Sequence, residues 1–477
     1  MAEETVYSVP QFIRDYIREQ GYDLATGMDS YISIWLEMFK ATGKFWDYED
    51  KDASGRVYKV HRRTVKPAKR VSEEWASLLL NDDTQAVCEE QACTDWLAGY
   101  FKRINFYGKG QEIIAKAFAL GTGAWAVWLD LESQSMQIRR YDARMVLPLS
   151  WDDDGVTECA FATKARIGGK DYDQLQMHVM GEGGYHIRTT CFDENGKPVE
   201  IEGVIDDLPT GCPTPTFAVI TPAIANTCVD NSPYGQSVYD DAIDALKSVD
   251  EAYEAIFNEV RLSKMRVFMD DMMFEVSKDG KGKSQPVPFG KEDAVVFRKV
   301  AGMGDGINAA IKEFAPTLRT DSQVRAYRTA LQTMGDKCGF GLNYFDIDDS
   351  GGIKTATEVS SDNSALMRNI RRHENLLEGA VAQISRAAIH CANAFLGAGL
   401  PDPGEITVSW DDSIITDTAS EKQQDLAEVN VTMNPWEYRM KWYGEDEETA
   451  KANAPSGYTE QPAFGEGEIP EPAEGEQ

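Results

Sequence analysis

Apolar positions recur at helical steps along two unusually long stretches of this chain. From Val359 they fall at Leu366, Ile370, Leu377, Val381, Ile384, Ala388, Cys391 and Phe395, in steps of 3, 4 and 7. The run has no proline before Gly397 and predicts a helix of about 40 residues, roughly 60 Å if straight. Thr355-Ala356-Thr357-Glu358 reads as its capping box, with Thr355 and Glu358 the reciprocal pair. Gly379 is the place for a bend. The second stretch carries Tyr239, Ala242, Leu246, Val249, Tyr253, Ile256 and Val260 at near-heptad spacing, predicting a helix capped by Ser237. Asp240, Asp241 and Asp244 sit at its start, and Arg261, Lys264 and Arg266 follow its end, both favourable to the helix dipole.

Around these two, the pattern predicts a mixed α+β protein, predominantly helical. Helices are expected over 9–20, 29–40, 72–80, 89–103 and 111–120, with a basic turn at 66–70. Gly121-Thr122-Gly123 then leads into a strand over 124–129. Alternating strands run to about 219, with turns at 153–155, 168–169 and 194–196. Residues 266–320 break into strands over 267–276 and 294–300, a Lys-Asp-Gly-Lys-Gly-Lys turn at 278–283 and a short helix over 306–314. A helix over 321–334 returns. The order is long helix, small insertion, returning helix, loop, longest helix, so the insertion projects from a helix pair. A strand over 406–410 and helices over 420–429 and 446–452 follow. The tail from 455 holds six Glu and no basic residue among Pro and Gly, and reads as disordered.

Composition narrows the function. At 477 residues the chain exceeds one ordinary core. The formal charge of −31 argues against a tight grip on nucleic acid, which needs many Lys or Arg contacts to phosphate. It does not exclude a protein that encloses DNA without holding it, since a like-charged wall repels the backbone and leaves the polymer free to move. Eight cysteines are scattered singly, without Cys-x-x-Cys or zinc-finger spacing. Reduced buried thiols in a cytoplasmic product are expected, with no signal-peptide pattern and no membrane-spanning stretch.

Candidate chemistry falls away on inspection. Gly282-Lys283-Ser284 ends like a phosphate loop, but Ser277 stands where the first glycine belongs and Pro286 where the helix should begin. Gly121-x-Gly123-x-x-Ala126 lies at a helix-to-strand turn, the reverse of a dinucleotide site. Asp346-x-Asp348-x-Ser350-Gly351 opens like a calcium loop, yet Thr357 occupies the twelfth position and Glu358 is one residue late. Asp152, Asp153 and Asp154 read as a solvated corner. His61, His178, His186, His373 and His390 neighbour no nucleophile motif. The residues point to no enzyme, no cofactor and no metal.

Several segments together resemble the portal proteins of tailed bacteriophages, of the siphophage type, over about 30–454. They are Ile34-Trp35-x-x-Met38-Phe39-x-x-x-Gly43, Lys69-Arg70-Val71, Trp75-Ala76-x-Leu78-Leu79 and Ala117-x-Ala119-Leu120-Gly121-x-Gly123. Further along come Ser232-Pro233-Tyr234-Gly235-x-Ser237-x-Tyr239, Trp410-Asp411-Asp412-Ser413 and Gly444-Glu445-x-Glu447-Glu448-x-Ala450. The most specific is Lys354-Thr355-Ala356-Thr357-Glu358-Val359 with Asn363-Ser364.

The resemblance implies a ring of identical subunits, usually twelve, at one capsid vertex of the virion, assembled in the host cytoplasm. The ring passes double-stranded DNA during packaging and ejection. It docks the terminase large subunit, then head-completion or adaptor proteins, and meets the major capsid and scaffolding proteins. The implied parts are a wing over 1–237, stem helices over 238–264 and 321–339 and a clip over 265–320. A tunnel loop spans 340–354, a long bent helix and wing strand 355–415, a crown 416–454 and an acidic tail 455–477. The DNA-facing loop would comprise Tyr344, Phe345, Asp346, Asp348, Asp349, Ser350, Gly351, Gly352 and Lys354. Lys278, Lys281 and Lys283 would bind partners from the clip. The alternative is another connector or minor head protein of the capsid.

Overall fold

The computed structural model describes residues 7–51, 55–81, 84–130, 135–270, 276–278, 284–286, 297–300, 311–345, 356–410, 422, 425–429 and 433–454. The chain divides into two compact units, one of residues 1–353 with 361–410 and one of residues 354–360 with 411–477.

In the first unit, α1 (Gln11–Glu19) and α2 (Asp29–Lys40) form where the apolar spacing predicts them. Strands β1 (Asp47–Lys51) and β2 (Val57–His61) make an exposed antiparallel hairpin that the pattern does not announce, having little apolar alternation. Helix α3 (Pro67–Leu79) begins inside the predicted basic turn. Pro67 takes its first position, where a missing N–H costs nothing, so the turn is a helix start. After β3 (Gln85–Cys88) come α4 (Gln91–Ile104) and α5 (Phe106–Leu120). Gly121 then turns the chain at φ +80°, where a Cβ would sit 2.4 Å from the Gly235 carbonyl oxygen. Only glycine fits that crossing.

Nine strands follow: β4 (Gly123–Asp130), β5 (Ser135–Asp142), β6 (Val146–Asp152), β7 (Gly155–Ile167), β8 (Lys170–Gly181), β9 (Gly184–Phe192), β10 (Pro198–Val199), β11 (Asp207–Cys212) and β12 (Phe217–Ile220). One sheet runs β10-β9-β8-β7-β6 with β11 also on β9, and a second runs β12-β4-β5. The predicted turns at 153–155 and 168–169 join β6 to β7 and β7 to β8. Val9, Ile13 and Ile17 pack onto Leu147, Leu175, Met177 and Phe192, closing one core against α1. Between the sheets, Ala124, Tyr141, Phe161 and Phe217 form another.

A 3₁₀ turn (Asp240–Ala242) precedes α6 (Ile243–Leu262), so the long helix starts later than predicted. Ser237 does not cap it. Its hydroxyl lies 3.4 Å from the Phe118 carbonyl and 3.4 Å from the Tyr239 N–H. Asp240 instead accepts from the Trp35 indole at 2.6 Å. Beyond α6 come β13 (Arg266–Asp270), β14 (Val276–Lys278), β15 (Ser284–Pro286), β16 (Phe297–Val300) and β17 (Ile311–Phe314), then α7 (Thr320–Lys337). The predicted helix over 306–314 is corrected in part: Ile311–Phe314 is a strand, paired antiparallel with β13, and 301–310 lies outside the described residues. Sheet pairing outweighs so short a helical pattern. β16 lies parallel to β13, and β14 pairs antiparallel with β15. Helix α8 (Ala356–Leu396) is continuous through Gly379, and β18 (Ile406–Ser409) pairs with β3.

In the second unit, α9 (Pro435–Tyr443) was not predicted, although Asn434-Pro435-Trp436-Glu437 carries a capping signal. Glu437 accepts from the Asn434 N–H at 2.7 Å. α10 (Glu447–Asn453) follows, and Asp425 receives the Trp442 indole N–H and the Lys441 ammonium, each at 2.7 Å.

Asp250 on α6 is fully buried, an acid in the apolar seam between Val249 and Tyr253. Its carboxylate accepts from the Trp46 indole (2.8 Å), the Thr64 hydroxyl (2.6 Å) and the Val65 N–H (2.9 Å). Asp250→Ala would orphan these donors and cost about 2–4 kcal/mol, read as a lower denaturant midpoint. Asp250→Asn, which keeps part of the acceptor set, would cost less.

His373, packed edge-on to Trp75 and beside Phe118, accepts the Ala223 N–H at Nδ1 (3.0 Å). Burial first, then the Arg372 charge, pulls its pKa down to about 4. A histidine held neutral when folded contributes stability that is complete above the ordinary histidine pKa of about 6.5 and is lost as pH falls towards 4. Thermal unfolding across that window should show a stability loss that His373→Gln reduces. An unchanged pH slope would contradict this assignment.

Candidate functional site

Helices α6 and α7 form an antiparallel pair. Glu259 near the end of one meets Arg319 at the start of the other, and Tyr253 faces Tyr327 at 6.0 Å. The base of the pair is core: Leu246, Val249, Leu331 and Met334 are buried. Its far half is not, since Phe257 is 40% exposed, Val260 52% and Val324 42%. Phe257 and Val260 lie one turn apart on α6, and Arg63 sits over the Phe257 ring, 4.8 Å from its centroid.

At the far end, Arg319 grips Glu259 with a fork. Its backbone N–H, Nε and Nη2 donate at 3.1, 3.2 and 3.1 Å. Those bonds hold the Glu259 carboxyl below the ordinary carboxylate range. The clamp closes the mouth of the insertion, so β13–β17 leave and return at one fixed point. Charge-assisted bidentate geometry suits that task.

The loop after α7 is rooted as firmly. Gly339 and Gly341 adopt φ +87° and +85°, and a Cβ on Gly335 would lie 2.6 Å from the Gly341 carbonyl oxygen. The Trp75 indole donates to the Cys338 carbonyl (3.1 Å), and Asn369 of α8 donates to the Gly339 carbonyl (2.8 Å). Phe340 stacks on Trp75 with centroids 4.5 Å apart and meets Phe345 at 5.1 Å. Arg70 lies over the Phe345 ring, 5.1 Å from its centroid. Tyr344 donates its hydroxyl to Glu74 at 2.6 Å. Burial, that bond and the Glu74 charge push the phenol pKa upward.

Of the sequence-predicted residues, Tyr344 and Phe345 are therefore brought together, but as the root of the loop, with Phe345 buried. Asp346, Asp348, Asp349, Ser350, Gly351, Gly352, Lys354 and Thr355 lie outside the described residues, as do Lys281 and Lys283. Glu358 falls in the first turn of α8 and Lys278 in β14, each described by its backbone alone. Sequence reasoning missed Arg70, Glu74, Trp75 and Asn369 as the partners of the loop root, because nothing local links them to residues 338–345. Asp250 did leave a signal, a carboxylate in an apolar seam.

All eight cysteines are unpaired, and burial pushes the Cys338 thiol up to about 12. Burial, followed by Asp240, raises Cys228 to about 11. His178, fully buried against Thr216 at 2.7 Å, is pulled down to about 3 by burial. Among the described residues no cluster of three or more His, Cys, Asp or Glu could hold a metal ion, and no helix is long and apolar enough to cross a membrane.

No curated protein matches the sequence. Solved structures with similarity include a chain of the virion of a native gene transfer agent particle (12% identity, 90% of this chain and 97% of that one, TM-score 0.36). Two others come from the neck of that particle at the same identity and coverage. One is native and computed with C12 symmetry (TM-score 0.37), the other empty and computed with C6 symmetry (TM-score 0.41). The family described as phage portal protein, SPP1 Gp6-like, matches residues 47–454. That span takes in the strand-rich region, the helix pair with its insertion, the rooted loop and the long helix, and so the chain belongs to the SPP1 Gp6-like family of phage portal proteins.

Proposed function

We propose that this portal protein works as a closed ring of identical copies, twelve by the family's pattern, set at one capsid vertex with DNA passing through its centre. The family match over 47–454 carries this reading. The half-exposed helix pair supports it: Phe257, Val260 and Val324 give each copy an apolar strip for its neighbour, as a ring requires. In this assembly α6 and α7 are the stem, the β13–β17 insertion is the clip, and residues 346–354 face the DNA. The clip meets the terminase motor and later the head-completion proteins. Residues 416–454 contribute the crown.

The role is mechanical, and the family is structural rather than enzymatic. A channel wall drawn from a chain of net charge −31 does not hold phosphate, so the duplex stays free to move. The loop is fixed at its root by Trp75, Asn369 and the Tyr344–Glu74 bond, and α8 resumes directly after it. The residues before the DNA-facing segment are thereby held in one place.

Two outcomes follow. Phe257→Asp combined with Val260→Asp should convert rings to single copies in mass photometry, with the helical circular dichroism signal retained. Rings persisting in that variant would remove the helix pair from the subunit contact. Lys354→Glu should lower the DNA packaged per particle at least severalfold while ring assembly stays normal, because Lys354 is the one base beside three acids in the loop. Packaging equal to wild type would take Lys354 off the DNA path.

A further inference from the structure

The strand region holds a cleft of about 770 Å³, within the range of roughly 300–1,000 Å³ typical of ligand sites. Five consecutive residues of β5 (137–141) line one side and five consecutive residues of β7 (163–167) line another. Side chains alternate across a strand, so a sheet face shows every second residue, whereas an edge shows all of them. Both segments are edges. Among the described residues β5 pairs with β4 alone, at the end of its sheet. β7 pairs with β6 only through Phe161, with one further bond from the Ala162 N–H to the Met145 carbonyl. Among the described residues, 163–167 pair with β8 on one side and with no strand on the other. Open edges of this kind are normally covered or blocked.

The charge of the cleft runs against that of the chain. Arg103, Lys109, Arg139, Arg140, Lys164 and Arg166 line it, and no Asp or Glu does. Two of these cations have carboxylate neighbours outside the lining, Arg140 with Glu112 at 3.1 Å and Arg166 with Asp171 at 3.7 Å. Among the described residues, Arg103, Lys109, Arg139 and Lys164 have no carboxylate within ion-pair distance. Trp125, another lining residue, is fully buried and its indole N–H has no hydrogen-bond partner. Lys164 lies opposite Asp173 on β8, and the excess of cations over lining acids beside two open strand edges is complementary to a backbone that carries acids.

We propose that this cleft is a docking site for an extended acidic segment of a protein partner, which adds as a strand against β5 or β7 and places its carboxylates among the six cations. Backbone pairing supplies the binding and charge selects the sequence. A single-stranded nucleic acid offers charge but no strand backbone. Its bases would also find little platform, since Arg139 already covers Trp128 at 3.3 Å and Trp125 is buried. A duplex is too broad to enter between strand edges.

The test uses the full-length protein as purified and a fluorescent twelve-residue peptide of alternating Glu and Val, read by anisotropy at physiological salt. Saturable binding is expected, weakened about tenfold or more when alternate backbone nitrogens of the peptide are methylated. Lys164→Gln with Arg166→Gln should weaken the unmodified peptide to a similar degree while leaving the melting temperature within a few degrees of wild type. An oligothymidylate of equal charge should bind more weakly than the peptide. No binding of the peptide, equal binding of its methylated form, or tighter binding of the oligothymidylate would each overturn the proposal. The methylated peptide decides the matter on the wild-type protein even where the double variant does not fold.

Discussion

One carboxylate determines where the long helix leaves the body of the protein. Asp250 is buried with three donors around it, from the Trp46 indole, the Thr64 hydroxyl and the Val65 backbone. Burying an acid is unfavourable unless its acceptors are satisfied, so α6 can dock in only one register against residues 46–65. With that register set, Glu259 lies two and a half turns further along, where Arg319 receives it and α7 returns. The insertion, the loop root and the exposed apolar strip all inherit their positions from this one contact.

Ends are held: the mouth of the insertion by the Glu259–Arg319 fork, and the loop by Trp75, Phe340, Tyr344 and Asn369. Burial holds the Cys338 thiol protonated and His373 neutral. A platform that positions other molecules needs such held ends more than it needs reactive side chains.

Much of this was legible in the sequence. The apolar stripe marked α2 to the residue, and paired glycines or Asp-Gly marked the turns between β6, β7 and β8, because both signals are local. The helix–insertion–helix order was legible for the same reason. What was missed is non-local. β3 is four residues long and exists through its pairing with β18, far along the chain. Ile311–Phe314 becomes a strand because β13 offers an edge, and the partners of Tyr344 and Phe345 come from α3. The α9 start is different: its Asn-Pro-x-Glu signal was present and readable. For the candidate site, the sequence supplied the family, while the contacts that hold residues 338–345 required the fold.

The central claim is that copies of this chain close into a ring around a passage for DNA. Electron microscopy of the purified full-length protein tests it most directly. Closed rings are expected in face-on views, with a central hole wide enough for duplex DNA and one projecting tier formed by the insertions. Single copies or pairs at every concentration, with no ring under any condition, would contradict it.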